Sequence, residues 1–359
     1  MSESEEALQR LLPIVFEMLE NGKLQLGNVP HTIQALKRVQ RLPDGTFDLS
    51  TVEPPVRALC WGIAEMADQP PPADYVSLSE LPKIDLPNLE KQRASEEDFL
   101  ADLIEASNSV RKYLILVAGL WPVRPLDRQS RAVLMGHMVR LFKLYDTLAI
   151  LTVERRTEAA WIICRALVDT IINLTYLLKD PARSKRYVRQ SLAYEKKLME
   201  EIQRRLQDPP LPIETRMLRS IQATFDRAGV NPAEIKAQEW RGLSSERKAR
   251  AVGLEILYEF GFRVASHNTH GTWHDLEFYQ LELVDGDYRP EIRFHNPRPQ
   301  ILELATVGSL DAVEEYLRFI AEEKDIAPVL ESVRTLRDWF LQMSRRHEEI
   351  VAVNHQGQG

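Results

Sequence analysis

The chain has 359 residues, 44% apolar and 28% charged, with a formal net charge of -7. That balance is close to the average for globular proteins, so it excludes wholesale disorder, and the length is enough to bury a core without a metal or disulfide staple. The acidic surplus argues against non-specific adhesion to nucleic acid or anionic lipid. The opening MSESEEALQR is acidic where a secretory signal would be basic, and no uninterrupted apolar run approaches the roughly 20 residues that span a bilayer. A cytoplasmic protein without a membrane partner is expected. Cys60 and Cys164 lack the spacing of a zinc site or redox pair and read as two buried thiols.

The periodicity predicts a mainly α fold: an antiparallel helical bundle with a small N-terminal helical subdomain and one short β-hairpin. Residues 1–67 form the subdomain. Leu8, Leu11, Leu12, Val15, Phe16 and Leu19 make one apolar stripe that Asn21-Gly22 stops, and further pieces run over 32–40 and 55–66, separated by a turn at Pro43-Asp44-Gly45. Residues 68–92, with Pro70, Pro71, Pro72, Pro82 and Pro87, read as a linker or a strap lying on the surface.

The main helical domain spans 93–350. Ser95 is an N-cap followed by Glu96, Glu97 and Asp98, where negative charge suits the helix dipole, and that helix runs to about Leu120. Two strongly periodic helices follow, Arg128 to Val153 and Arg156 to Leu178, the latter ended by Asp180-Pro181. Ser184 to Leu206 is charged nearly all round and should largely meet solvent. Pro212, Gly229 and Pro232 break the stretch 209–241 into short helices and turns, after which Ser245 to His270 reads as one long helix. A hairpin near 278–295 turns at Asp285-Gly286. Helices over 299–322 and 327–347 close the domain, leaving 351–359 as a disordered tail.

Reactive groups are densest in FGFRVASHNTHGTWHDL, where three of the eight histidines fall within eight residues. His267, His270 and His274 share a helical face at offsets of three and seven, a spacing that permits a transition metal, although Gly271 is a helix stop that would swing His274 away. Arg263 and His270 fit an Arg-x(4 to 6)-His pattern, with Ser266 and Asn268 beside them. That pattern resembles the one of the helical ribonuclease group called HEPN, a likeness that implies an imidazole exchanging a proton with an RNA 2′-hydroxyl while the guanidinium steadies charge on phosphorus. Arg128 or Arg131 before His137, and Arg289 before His295, have comparable spacing, and His137 lies among apolar neighbours as a satisfied core histidine would. Arg165, Asp169 and Asn173 recur every four residues as one polar line. It reads either as an Arg-Asp ion pair fixing helix register or as a polar wall facing the histidines.

The runs RALVDTIINLTYLLKDP and KRYVRQSL, then a helix containing Tyr258 and ending Ser266-x-x-x-His270, resemble an uncharacterised family of bacterial helical proteins. That family pairs an Arg-x-x-x-Glu helix with a Tyr…Ser-x-x-x-His helix. The resemblance covers roughly 130–275, and Asp169 stands where the family usually has Glu, which shortens the carboxylate's reach. The arrangement is similar, at a distance, to HEPN (higher-eukaryote and prokaryote nucleotide-binding) domains, a likeness that implies RNA cleavage or defence against phage.

Three readings follow. The first is a cytosolic scaffold or regulatory protein, serving in stress or phage defence, that meets a protein partner or its own copy through the charged helix and the strap. The second is a metal-independent ribonuclease with Arg263, Ser266, Asn268 and His270 around RNA. The third is a hydrolase with metal on His267, His270 and His274. The first two need no cofactor, and the chain contains no Walker loop, G-x-G-x-x-G, G-x-S-x-G or H-E-x-x-H motif.

Overall fold

The N-terminal leucine stripe forms α1 (Glu3–Glu20), which buries Leu8, Leu11, Leu12 and Val15 in a cluster continuous with that of the bundle. The computed structural model describes residues 3–20, 36–52, 56, 59–60, 81–120, 122–206, 210–236 and 242–356. Most of the two further subdomain pieces, the proposed stop at Asn21-Gly22, and the prolines at 70–72 lie outside these. Gln9 holds the turn segment down: its amide donates to the Phe47 carbonyl at 2.5 Å and accepts from the Phe47 N–H at 2.9 Å.

From residue 81 the chain is a strap tied to the bundle. Asp85 exchanges two hydrogen bonds with the Ser109 hydroxyl, and the Tyr113 hydroxyl and Trp339 indole donate to the carbonyls of Pro82 and Pro87. Arg93, 6% exposed, donates to Asp102 at 2.7 Å and to the carbonyls of Asn88, Leu89 and Lys91. These bonds answer a proline-rich segment's need for partners where the backbone makes few of its own.

Ser95 caps α2 (Glu96–Ala118) through a reciprocal box with Asp98. Asp127 caps α3 (Arg128–Val153), and a three-residue turn at 154–156 reverses the chain into α4 (Thr157–Leu178). By length and composition α4 could cross a membrane, which corrects the expectation that no segment qualifies; 61% of its apolar window is buried, as befits a helix surrounded by others. Cys164 is buried there as a free thiol, its pKa pushed up to about 12 by burial.

The charged helix is α5 (Arg183–Arg205), and it is less solvated than its composition implies. Leu192, Ala193 and Ile202 meet Ile221 and Phe225 of α6 (Pro212–Ala228) in a small second core. As the breaks at Pro212, Gly229 and Pro232 implied, the stretch divides: Pro212 occupies the first turn of α6, where the missing N–H costs nothing, Gly229 caps it in the left-handed region, and Pro232–Glu234 forms a 3-10 turn. By contrast, the single helix expected over 245–270 is two. Gly253, at φ 75°, ends α7 (Ser245–Val252) with a left-handed cap. The next helix, α8 (255–270), has a π-helical stretch, Tyr258–Arg263, between α-helical Glu255–Leu257 and Val264–His270.

Gly271 stops α8, and a short helix α9 (273–280) follows, α-helical over Trp273–Asp275 and π-helical over Leu276–Gln280. It leads into the antiparallel hairpin β1 (Leu281–Val284) and β2 (Asp287–Pro290), with Leu281 opposite Pro290 and the turn at Asp285-Gly286. The main cluster is completed by α10 (Pro299–Ile320) and α11 (Glu323–Gln356), the latter helical well past the boundary expected at 350. Its last described residues continue the hydrogen-bonded spiral of a helix already anchored by Trp339, Phe340 and Met343.

Candidate functional site

Two glycines and the polar line of α4 determine where the motif residues end up. Gly261 lies where a Cβ would stand 2.7 Å from Val168 Cγ2 and 2.8 Å from Leu304 Cδ2, so α8 packs its backbone directly on α4 and α10. That approach places Ser266 against Arg165. The guanidinium Nε donates to Ser266 Oγ at 3.0 Å and its Cζ lies 4.4 Å from the centre of the Phe262 ring. Ser266 in turn donates to the Phe262 carbonyl at 2.7 Å. The two helices of the quoted motifs therefore touch through the Arg of one and the Ser of the other.

Arg165 and Asp169 make no ion pair, so the line does not fix register as a salt bridge. Each member instead bonds to an element beyond α4. Asp169 accepts from Ser245 Oγ at 2.5 Å and from Asn173 Nδ2 at 3.1 Å, and Asn173 Oδ1 accepts from Lys248 Nζ at 2.7 Å. Ser245 and Lys248 sit one turn apart on α7, so the lower half of the line is a relay between α4 and α7.

The other predicted residues are spread out. Arg263 is held on the surface by Glu259 at 2.7 Å, with side chains 65% and 48% exposed. His270 is exposed at the end of α8, seven residues and about two helical turns further on. Asn268 is committed to the buried Asp275, donating at 2.6 Å and fastening α9 to α8. His267 and His274 bring their rings to 5.3 Å, and His267 Nδ1 lies 3.1 Å from Thr272 Oγ1. Among the described residues no three His, Cys, Asp or Glu side chains converge on a point where a metal could sit, so the metal-hydrolase reading has no geometry behind it.

His137 departs from the satisfied core histidine expected of it. It is 7% exposed, yet neither ring nitrogen has a hydrogen-bond partner. Its edge faces Tyr187 with ring centres 5.1 Å apart. Burial, with Arg140 and Lys248 adding repulsion and Asp169 opposing them, pushes its pKa down to about 4. Burial likewise lowers Lys248, against the pull of Asp169, and raises Tyr187.

Sequence reasoning passed over one further feature. Among the described residues, ten of the 21 large apolar side chains that remain exposed fall between Ile256 and Phe294. Ile256, Phe260 and Val264 form a stripe along the outer side of α8, 73%, 62% and 40% exposed, about a quarter of a turn round from buried Leu257, Gly261 and Ala265. Trp273 packs edge-on to Tyr288 of the hairpin at 5.5 Å, and both are also exposed. The four-residue spacing of the stripe was a readable signal, but on a helix with two apolar faces the period alone does not say which one turns inward.

Residues 131–287 match the model of a family described as a family of unknown function, DUF5677. No curated protein and no solved structure matches the chain. The matched segment begins in α3 and ends in β2, so it holds the polar line, the relay to Lys248, the α8 stripe and most of the hairpin. The match fits the uncharacterised family expected over roughly 130–275, and in this chain the matched segment is almost wholly helical.

Proposed function

We propose that this chain is a helical scaffold or regulatory protein that assembles with a second copy of itself through the outer face of α8 and the hairpin. The observation that carries this is the apolar stripe Ile256–Phe260–Val264, continued by the exposed apolar side chains at 273–294. Contiguous surface of this kind on a soluble chain marks an interaction site. The face is also self-complementary. When two copies of α8 cross antiparallel about a two-fold axis at Phe260, that ring meets its own equivalent and Ile256 meets Val264. Glu259 then comes within reach of Arg263 of the partner subunit, exchanging a local surface pair for a cross-dimer one. By contrast, the strap's bonds to α2 and α11, and the burial of one side of α5 on α6, leave those elements poor candidates for the contact.

Disulfide trapping tests the register. Phe260→Cys should cross-link to itself under mild oxidation, whereas Ile256→Cys should link only when mixed with Val264→Cys, since Cα separations above roughly 7 Å cannot be bridged. Absence of both products at concentrations where the protein is folded would reject the arrangement.

A second reading is favoured by the contact between Arg165 and Ser266. Arg165 makes no ion pair, and its Nε and ring contacts orient it beside the turn that carries His270. In the ribonuclease expected from the HEPN likeness, Arg165 would then replace Arg263 as the phosphate clamp, with His270 as acid or base. This reading brings with it a role in bacterial stress or phage defence. Incubation of wild type and His270→Ala with total RNA, with chelator present, decides it: cleavage lost only in the folded variant supports it, and no cleavage by wild type removes it.

A further inference from the structure

A cleft of about 270 Å³ opens between α4, α5 and α7, away from the α8 face, lined by Asn173, Tyr176, Arg183, Arg186, Tyr187 and Lys248, among others. Its charge is lopsided. Asp180 is the carboxylate of the lining, and it is already paired with Arg183 at 3.2 Å. Arg183 is fixed further by donation to the Tyr176 carbonyl and by lying 4.3 Å over the Tyr176 ring. Arg186 is exposed at the rim and makes no ion pair among the described residues.

Lys248 is the most telling member. Asn173 points its amide nitrogen at Asp169, whose other oxygen takes the Ser245 hydroxyl, and this forces the amide oxygen toward Lys248. The ammonium is thereby aimed, and Asp169 attracts it from behind Asn173 without pairing with it directly among the described residues. A half-buried, oriented cation whose nearest carboxylate is shared with Ser245 and Asn173 is better satisfied when an anion meets it from the open side. Behind Tyr187, against its ring, lies His137, buried and without a hydrogen-bond partner at either nitrogen among the described residues.

We infer that this cleft binds a small phosphate monoester, with Lys248, Arg183 and Arg186 around the phosphate and the Tyr176 and Tyr187 side beneath the organic part. Guanidinium and ammonium groups lining one cleft from two helices suit the several oxygens and double charge of a phosphate better than a carboxylate. The cleft's size, just under the range of ordinary ligand pockets, limits the occupant to a small molecule.

Calorimetric titration of the full chain with inorganic phosphate, adenosine 5′-monophosphate and adenosine tests the inference. The monophosphate should bind, adenosine should bind at least about tenfold more weakly, and Lys248→Met and Arg186→Ala should each weaken the monophosphate about tenfold, the scale of a lost charged contact. Phosphate binding alone, weakened by the same substitutions, also supports the cleft as the site. Equal affinity for adenosine, no binding of either phosphate at millimolar concentration, or variants that bind like wild type would overturn it. Phe260→Glu, which leaves the cleft untouched, should bind as wild type does, so loss of the dimer and loss of the cleft are separately visible.

Discussion

The bundle and the arm that leaves it use the same residue types in opposite ways. In α2, α3, α4, α10 and α11 the large apolar residues are inside, and Tyr113, Tyr145, Tyr316 and Phe340 are fully buried. Between 255 and 294 Leu257 and Tyr279 are buried, but ten others stand outside, up to Ile292 at 90% exposure. A core derives its stability from burying such groups, at ~25 cal/mol per Å² removed from water, so the arm leaves that contribution unrealised until something covers it. The lesson is that periodicity reports an element and its faces; what covers each face depends on neighbours, including neighbours from another chain.

The contrast can be tested through charge first. Arg93→Met should cost about 3 kcal/mol, because it strips the buried Asp102 of its 2.7 Å partner and frees three strap carbonyls; Lys91 remains to soften the loss. Arg263→Met breaks an exposed pair on the arm and should move monomer stability by less than about 0.5 kcal/mol. Urea denaturation of both variants gives the ratio, and comparable losses would mean the arm is as integral as the bundle.

Acid comes next. His137 has a folded-state pKa of about 4 against an ordinary value of 6.5, so the unfolded chain binds its proton first. Its contribution to stability is complete above pH 6.5 and falls by about 3 kcal/mol on descending to pH 4. Denaturation of wild type and His137→Leu across that interval should show the wild type alone carrying this slope, over and above whatever the two share. Parallel curves would mean that His137 titrates normally.

Gly261→Ala addresses the seam between the two regions. Its new methyl would meet the stiff Val168 side chain and Leu304, and the seam should loosen at a cost of about 1–3 kcal/mol despite the better helix propensity of alanine. Thermal denaturation reads this, and an unchanged or raised midpoint would show that α8 can back away from α4 freely.

Most of the bundle was legible because its signals were local. Ser95 with Asp98, Asp180-Pro181, the run from Arg128 to Val153 and Asp285-Gly286 each act over a few residues. Gly253 was misread because a glycine on an apolar-periodic stretch can pass or cap, and the backbone decides. The polar line on α4 was visible as a spacing, but its partners lie 75 to 101 residues away: Ser245 and Lys248 carry no motif of their own, and the motif that holds Ser266 does not say which residue it meets. The His267, His270 and His274 cluster drew attention by density; across the left-handed Gly271, φ 56°, His267 and His274 still meet at 5.3 Å, but no third ligand joins them among the described residues.

The most direct measurement of the central claim is sedimentation equilibrium of tag-free wild type and Phe260→Glu over a concentration series, after circular dichroism has shown equal helicity. The account predicts a dimer for wild type and a monomer for the variant, with monomer unfolding free energies within about 0.5 kcal/mol, since Phe260 is 62% exposed. A wild type that stays monomeric at high concentration, or a variant that dimerises as well as wild type, would contradict it.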